Sequence, residues 1–210
     1  MLLSPLHVGV IASSVFSLVA LLFLVARTYS FGRRPLYANA QGKGGRGVFY
    51  AFAQGMMPWE KESAAKHLLT LVAGVFYHAA IFAALAFLVL RLTSVPISSI
   101  AEPLLRIVLA VGLACGLGLL AKRAMKPYLR AISTLDDVLA NLLIDLFLAA
   151  ALLCSWFPNL EPAFFIVAIV LFLYIPLGKI RHCFFFFYSR ILFGAFVGRR
   201  GVLPHPPREA

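Results

Sequence analysis

Two histidines, His67 and His78, stand eleven residues apart in one apolar run that ends at Arg91. At about 100° per residue, that spacing brings the second ring nearly back over the first, about 16 Å further along one helical face. Gly74 lies one turn before His78 and removes side-chain bulk beside that imidazole. A third histidine, His182, follows Lys179 and Arg181 near the end of the last apolar run. An imidazole in hydrocarbon is costly without a partner, so a functional role is the default expectation. The partner that best suits two imidazoles from different helices is a haem iron. Cations beside a ligand histidine would suit haem propionates, and a basic helix end that snorkels to the interface accounts equally for Lys179 and Arg181. Asp145, about two turns inside the fourth run, is open both to proton transfer and to structural pairing with Arg130 or Asn141.

Long apolar helices must carry these residues. The chain has 210 residues, 62% hydrophobic content and a mean hydropathy of +0.93, which excludes a soluble domain. Five runs, at about 6–26, 67–91, 103–121, 138–157 and 161–183, are long enough to span a bilayer. Met1 to His7 carries no Lys or Arg, and the first run continues to Ala26. It is therefore expected to be a retained helix and not a secretory signal. The fold class is an all-α membrane protein in a single integral domain over 1–210, with a loop at 27–66 and a tail at 190–210. Of the 19 Lys and Arg, seven lie in 27–66, four in 122–137 and six from Lys179 onward. Only Arg91 and Arg106 mark the opposite ends, which predicts the N-terminus outside and the loop, tail and C-terminus cytoplasmic. The net charge of +11 thus reads as topology-setting charge and not as a nucleic-acid surface.

The connecting segments add detail. Gln41-Gly-Lys-Gly-Gly-Arg-Gly47 reads as a flexible linker or a docking surface for a cytoplasmic partner, and it lacks the P-loop pattern. Pro58-Trp59-Glu60 suits a helical turn at the interface before the second run. Gly112 and Gly116 have the spacing that lets helix backbones approach closely in lipid. Ser133 to Asp137 reads as a helix cap with acid at the positive end of the dipole. Pro176 should kink the last run or loosen a backbone bond. The tail from Phe193, basic and broken by glycine, could meet lipid head groups or a partner. His7 and His205 read as interfacial and solvated. Cys115, Cys154 and Cys183 form no C-x-x-C, so an iron–sulfur or zinc site within this chain is not expected.

Ala73-Gly-Val-Phe-Tyr-His78-Ala-Ala-Ile-Phe82 and Leu171-Phe-Leu-Tyr-Ile-Pro-Leu-Gly-Lys-Ile-Arg-His182, set in five apolar runs, resemble a known family. It is the membrane cytochrome b family of respiratory nitrate reductase gamma subunits, with the membrane subunits of heterodisulfide reductase and of sulfite-reduction-associated complexes. The tail Phe196-Val-Gly-Arg-Arg-Gly-Val-Leu-Pro204 looks more like the heterodisulfide reductase branch. The resemblance implies a subunit that exchanges electrons between membrane quinol or quinone and a cytoplasmic iron–sulfur partner, in a prokaryotic cytoplasmic membrane. It implies an electron-transfer subunit rather than a stand-alone enzyme. It also implies that His78 and His182 ligate a haem b, with Gly74, Lys179 and Arg181 around it. At the outer ligand positions of two-haem members this chain has Leu88 and Phe164, which cannot ligate iron, so one haem is expected.

Depth along the helices leaves a second assignment open. At 1.5 Å per residue, His78 lies about 20 Å from the outer end at Arg91, His182 about 31 Å from Glu161, and His67 about 36 Å from Arg91. His67 is therefore the alternative ligand or a quinone-site residue. His67, Lys66 and Asp145 are the candidates for taking a proton in quinol chemistry. Two other functions compete: a haem-free membrane anchor for a cytoplasmic enzyme, and a small transporter using Asp145 and His78. Against the transporter, the sequence has no internal repeat and no matching pair of broken helices.

Overall fold

The computed structural model describes residues 4–31, 38–60 and 66–203, and every described element is helical. Arg33, Arg34, Lys61 and the segment 204–210, with His205, lie outside the described residues. Among the described residues eight α-helices follow in order: α1 (Pro5–Ser30), α2 (Gly44–Phe52), α3 (Leu68–Leu92), α4 (Ala101–Met125), α5 (Pro127–Ala131), α6 (Leu135–Trp156), α7 (Glu161–Tyr174) and α8 (His182–Arg200). Among the described residues five helical segments are long and apolar enough to cross a membrane: α1, α3, α4, α6, and Lys179–Arg200, which includes α8.

The fifth long segment is not the one expected at 161–183. α7 stops at Tyr174, and a turn replaces its continuation. Pro176 has no amide to donate, so the backbone closes instead through the Leu177 and Gly178 amides, 3.0 and 2.9 Å from the Tyr174 carbonyl. Gly178 lies so close to the Tyr174 ring that a Cβ there would overlap it. The chain then restarts as a short 3₁₀ turn, Lys179–Arg181, and as α8. The depth of about 31 Å for His182 assumed one continuous helix and no longer applies. Residues 190–200, expected within a basic, glycine-broken tail, continue α8 to Arg200, and the helix ends on Gly201 at φ 67°, a left-handed cap that suits glycine.

The chain divides into two units. The first comprises Met1–Ala20 and Leu69–Ile180. Its core is a set of one-sided stripes: Tyr77, Ala80, Ala84 and Phe87 from α3, Leu109, Gly112 and Gly116 from α4, Ile144, Leu148 and Ala151 from α6, and Phe164, Ala168 and Leu171 from α7. Their spacings of three, four and seven residues place each set on one helical face. Outward faces stay apolar, as at Phe82, Leu104 and Leu146, which suits lipid contact. At Gly112 a Cβ would overlap Ala80, so α3 and α4 approach closely there. Thr134 starts α6: its amide donates to Asp137 Oδ2 at 2.8 Å, the reciprocal half of a capping box.

At the far end of this unit both isolated cations are matched. Arg91 pairs with Glu161, and Arg106 pairs with Glu102, donates to the Ser155 carbonyl at 2.6 Å and lies over the Trp156 ring at 4.0 Å.

The second unit comprises Leu21–Leu68 and Arg181–Ala210. Here α2 lies along α8 on a seam of glycines. A Cβ at Gly47 would overlap the Gly194 carbonyl, and one at Gly198 would lie 2.6 Å from the Lys43 carbonyl. The Gln41 and Gly42 amides both donate to the Arg199 carbonyl, at 2.8 and 3.1 Å. Phe52 rests against Phe186 and Phe187, and Tyr29 meets Tyr188 edge to face. Tyr50 donates to Glu60 at 3.2 Å; burial and then that carboxylate push its hydroxyl above its ordinary pKa, so it remains a donor.

Candidate functional site

Adjacent residues of α3 face opposite environments. Tyr77 is buried in the core and His78 is exposed, as a rotation of about 100° per residue allows. His78 Nδ1 lies 2.7 Å from the Gly74 carbonyl. A carbonyl can only accept, so Nδ1 carries the proton and Nε2 the lone pair. This is the ring arrangement that metal-ligating histidines use: the far nitrogen is fixed by a backbone oxygen and the near one is presented as ligand. A Cβ at Gly74 would meet nothing within 4 Å, so the space beside that carbonyl is open. His78 and Gly74 therefore fit an axial haem ligand and its clearance.

Tyr77 anchors the same helix from within. Its hydroxyl donates to Asp145 Oδ1 at 2.8 Å, and Asn141 Nδ2 donates to Asp145 Oδ2 at 2.8 Å. Asn141 Nδ2 also lies 3.3 Å from the Tyr77 hydroxyl and 3.4 Å from the Gly116 carbonyl. Asp145 is 4% exposed, and a Cβ at Gly116 would overlap both its Oδ1 and the Tyr77 ring. Three helices are thus joined by one polar cluster, and glycine on α4 makes the room for it. Of the two partners expected for Asp145, Asn141 is the one it meets, while Arg130 is exposed. The donor from α3 was not foreseen; its only sequence signal is a tyrosine one residue from a histidine on a helix that must bury one face. Tyr77→Phe is expected to cost about 1 kcal/mol of stability, read by denaturant titration in detergent. An unchanged midpoint would mean that the cluster contributes no net stabilisation.

Asp137, Asn141 and Asp145 follow at intervals of four along α6, so a polar line runs about 12 Å inward from its start. At its mouth Lys179 Nζ lies 2.6 Å from Asp137 Oδ2, Arg123 lies 3.7 Å from Asp137 Oδ1, and Tyr174 donates to Asp136. Lys122 Nζ reaches Thr70 at 2.5 Å. Lys179, expected beside a propionate, is thus already matched by a carboxylate.

The remaining candidates belong to the second unit. His182 opens α8 and is exposed, as is Arg181 before it. His67 and Lys66 are exposed just before α3. The first unit holds His78, Gly74, Asp145 and Lys179, and within it His78 and Gly74 are directly joined. Among the described residues, no three of His, Cys, Asp and Glu converge to hold a metal ion, whereas an axial haem pair needs two. His7 is hydrogen-bonded to Ser4 at 2.7 Å and packs edge-on against Phe165. Leu88 and Phe164 are both core residues, with Phe164 stacked between Phe87 and Phe147 at ring-centre distances of 5.6 and 5.4 Å.

Set against known protein families, curated proteins and solved structures, the chain matches none. The family resemblance rests on its two helical motifs and on the pattern of apolar runs.

Proposed function

We propose that this chain is a haem b-containing membrane subunit of a respiratory oxidoreductase, passing electrons between membrane quinol or quinone and a cytoplasmic iron–sulfur partner. The observation that carries the reading is His78: an imidazole on the outer face of a long apolar helix, its Nδ1 held by the Gly74 carbonyl, which makes Nε2 the ligand nitrogen in this reading. The motif at His182 supplies the second imidazole in this reading, with His67 as the alternative. Bound haem would supply a one-electron carrier. Arg181 is the first choice for a propionate, since Lys179 is engaged by Asp137. Proton uptake falls to His67 or Lys66, which are exposed, because Asp145 is enclosed by Tyr77 and Asn141. That enclosure also counts against a transport pathway through Asp145. One haem is favoured over two because Leu88 and Phe164 are packed into the core.

In this reading the protein lies in a prokaryotic cytoplasmic membrane with its N-terminus outside and its C-terminus cytoplasmic. Only two of the 19 Lys and Arg, Arg91 and Arg106, stand at the outer end, the bias that such an orientation follows. It takes Pro158–Tyr174 as the last crossing and lays α8, with Arg190 near its middle, along the cytoplasmic surface.

A reduced-minus-oxidised spectrum of the complex purified intact, with a pyridine-haemochrome count, tests the proposal. One b haem per chain is expected. Two would overturn the one-haem assignment, and none would leave the haem-free anchor.

A further inference from the structure

The second unit is strongly unbalanced in charge. Its described residues include eight Lys and Arg against one acid, Glu60. That acid is already bound by Tyr50 at 3.2 Å and by Gln54 at 3.0 Å. The excess is focused on a cavity of about 440 Å³ where the segment before α2 meets the end of α8. Lys43 and Arg46 line it, together with Gln41, and no acid does. Among the described residues neither cation forms an ion pair. Glycines 42, 198 and 201 form the wall, and Leu203 adds an apolar margin. The wall is tight: a Cβ at Gly42 would overlap the Gly198 carbonyl, and one at Gly201 would lie 3.3 Å from the Gln41 carbonyl.

We propose that this cavity binds the phosphate of an anionic phospholipid headgroup, a site separate from any haem or quinone chemistry. Phosphate fits the donors present. Arg46 offers a planar fork, Lys43 a point charge and Gln41 an amide, and none of them is a competing acceptor of like charge. A lipid is the favoured source because α8, which ends at Arg200 beside the cavity, exposes Phe187, Ile191, Phe193 and Phe196, an apolar surface suited to a helix lying in the membrane interface. Basic pockets at the ends of such helices face the headgroup layer. The volume falls in the range of pockets that enclose small ligands and exceeds what a bare phosphate needs.

The test uses the full-length protein, delipidated in neutral detergent and titrated by native mass spectrometry with phosphatidylglycerol, phosphatidylcholine or inorganic phosphate. Phosphatidylglycerol should bind about tenfold or more tightly than phosphatidylcholine. Lys43→Ala/Arg46→Ala should weaken its binding by about thirty-fold, as expected for removal of two surface cations. Lys43→Arg/Arg46→Lys should keep it, and Lys126→Ala/Arg130→Ala, which removes two exposed cations elsewhere, should leave it unchanged. Equal loss in that control, or undiminished binding in Lys43→Ala/Arg46→Ala, would overturn the site. Inorganic phosphate bound in preference to lipid would overturn the headgroup as its source.

Discussion

His78→Ala is expected to abolish haem b absorbance while the protein still assembles. His78 is exposed and contributes to no part of the buried core, so its truncation leaves the α3 stripe of Tyr77, Ala80, Ala84 and Phe87 intact. What it removes is the lone-pair nitrogen Nε2, on a ring that the Gly74 carbonyl orients through Nδ1 at 2.7 Å. A six-coordinate b haem has one side chain for each axial bond, so the loss should be nearly complete and not graded. His182→Ala should have the same effect and His67→Ala should spare the spectrum. Exogenous imidazole should restore part of the absorbance to His78→Ala, which a misfolded variant would not allow. The neighbouring Tyr77→Phe gives the opposite result, a lower unfolding midpoint with the haem retained. If His67→Ala loses the spectrum and His78→Ala keeps it, the ligand pair is His67 with His182, and the Gly74 contact is merely local.

How much of this was legible depends on the length over which a signal acts. Apolar run length alone identified α1, α3, α4 and α6 within a few residues, because lipid forces backbone groups to pair within one segment. The capping box at Thr134 was equally local. Pro176 was visible, but whether a proline kinks a helix or ends it depends on what surrounds the turn. Here Gly178 folds under the Tyr174 ring, and the chain restarts. Asp145 and Asn141 could be matched from their spacing on one helix, whereas Tyr77 lies 68 residues from Asp145 in sequence and meets it only after three helices pack. The largest miss was α2. Gly44-Gly-Arg-Gly47 has poor helix propensity and reads as a linker. Its small residues at 44, 47 and 51, opposite Gly194 and Gly198, make a seam whose meaning needs both partners at once. The haem assignment rests on the two motifs and on the ring geometry of His78.

Gly47→Leu is expected to detach α2 from α8, reducing hydrogen-exchange protection of the α2 amides by about thirty-fold or more. A Cβ at 47 would overlap the Gly194 carbonyl and lie 2.6 Å from both Cα and N of Gly198. Every one of those neighbours is backbone, so no rotamer change relieves the overlap, and overpacking of this kind costs about 2 kcal/mol or more. Leucine is a better helix former than glycine by most of 1 kcal/mol, so propensity pushes the other way and any loss reports the contact itself. A nine-residue helix is marginal on its own, and once undocked α2 should lose its protection as a unit. Gly194→Leu, on the opposite wall, meets Gly47 and Val48 backbone and should act alike, with the double variant less than additive. Gly45→Ala is the control within the same helix: a Cβ there meets nothing within 4 Å, so protection should hold or rise. If Gly47→Leu keeps its protection while Gly45→Ala loses it, α2 presents its other face to α8, and the cavity bounded by Lys43, Arg46 and Gly198 would not form as described.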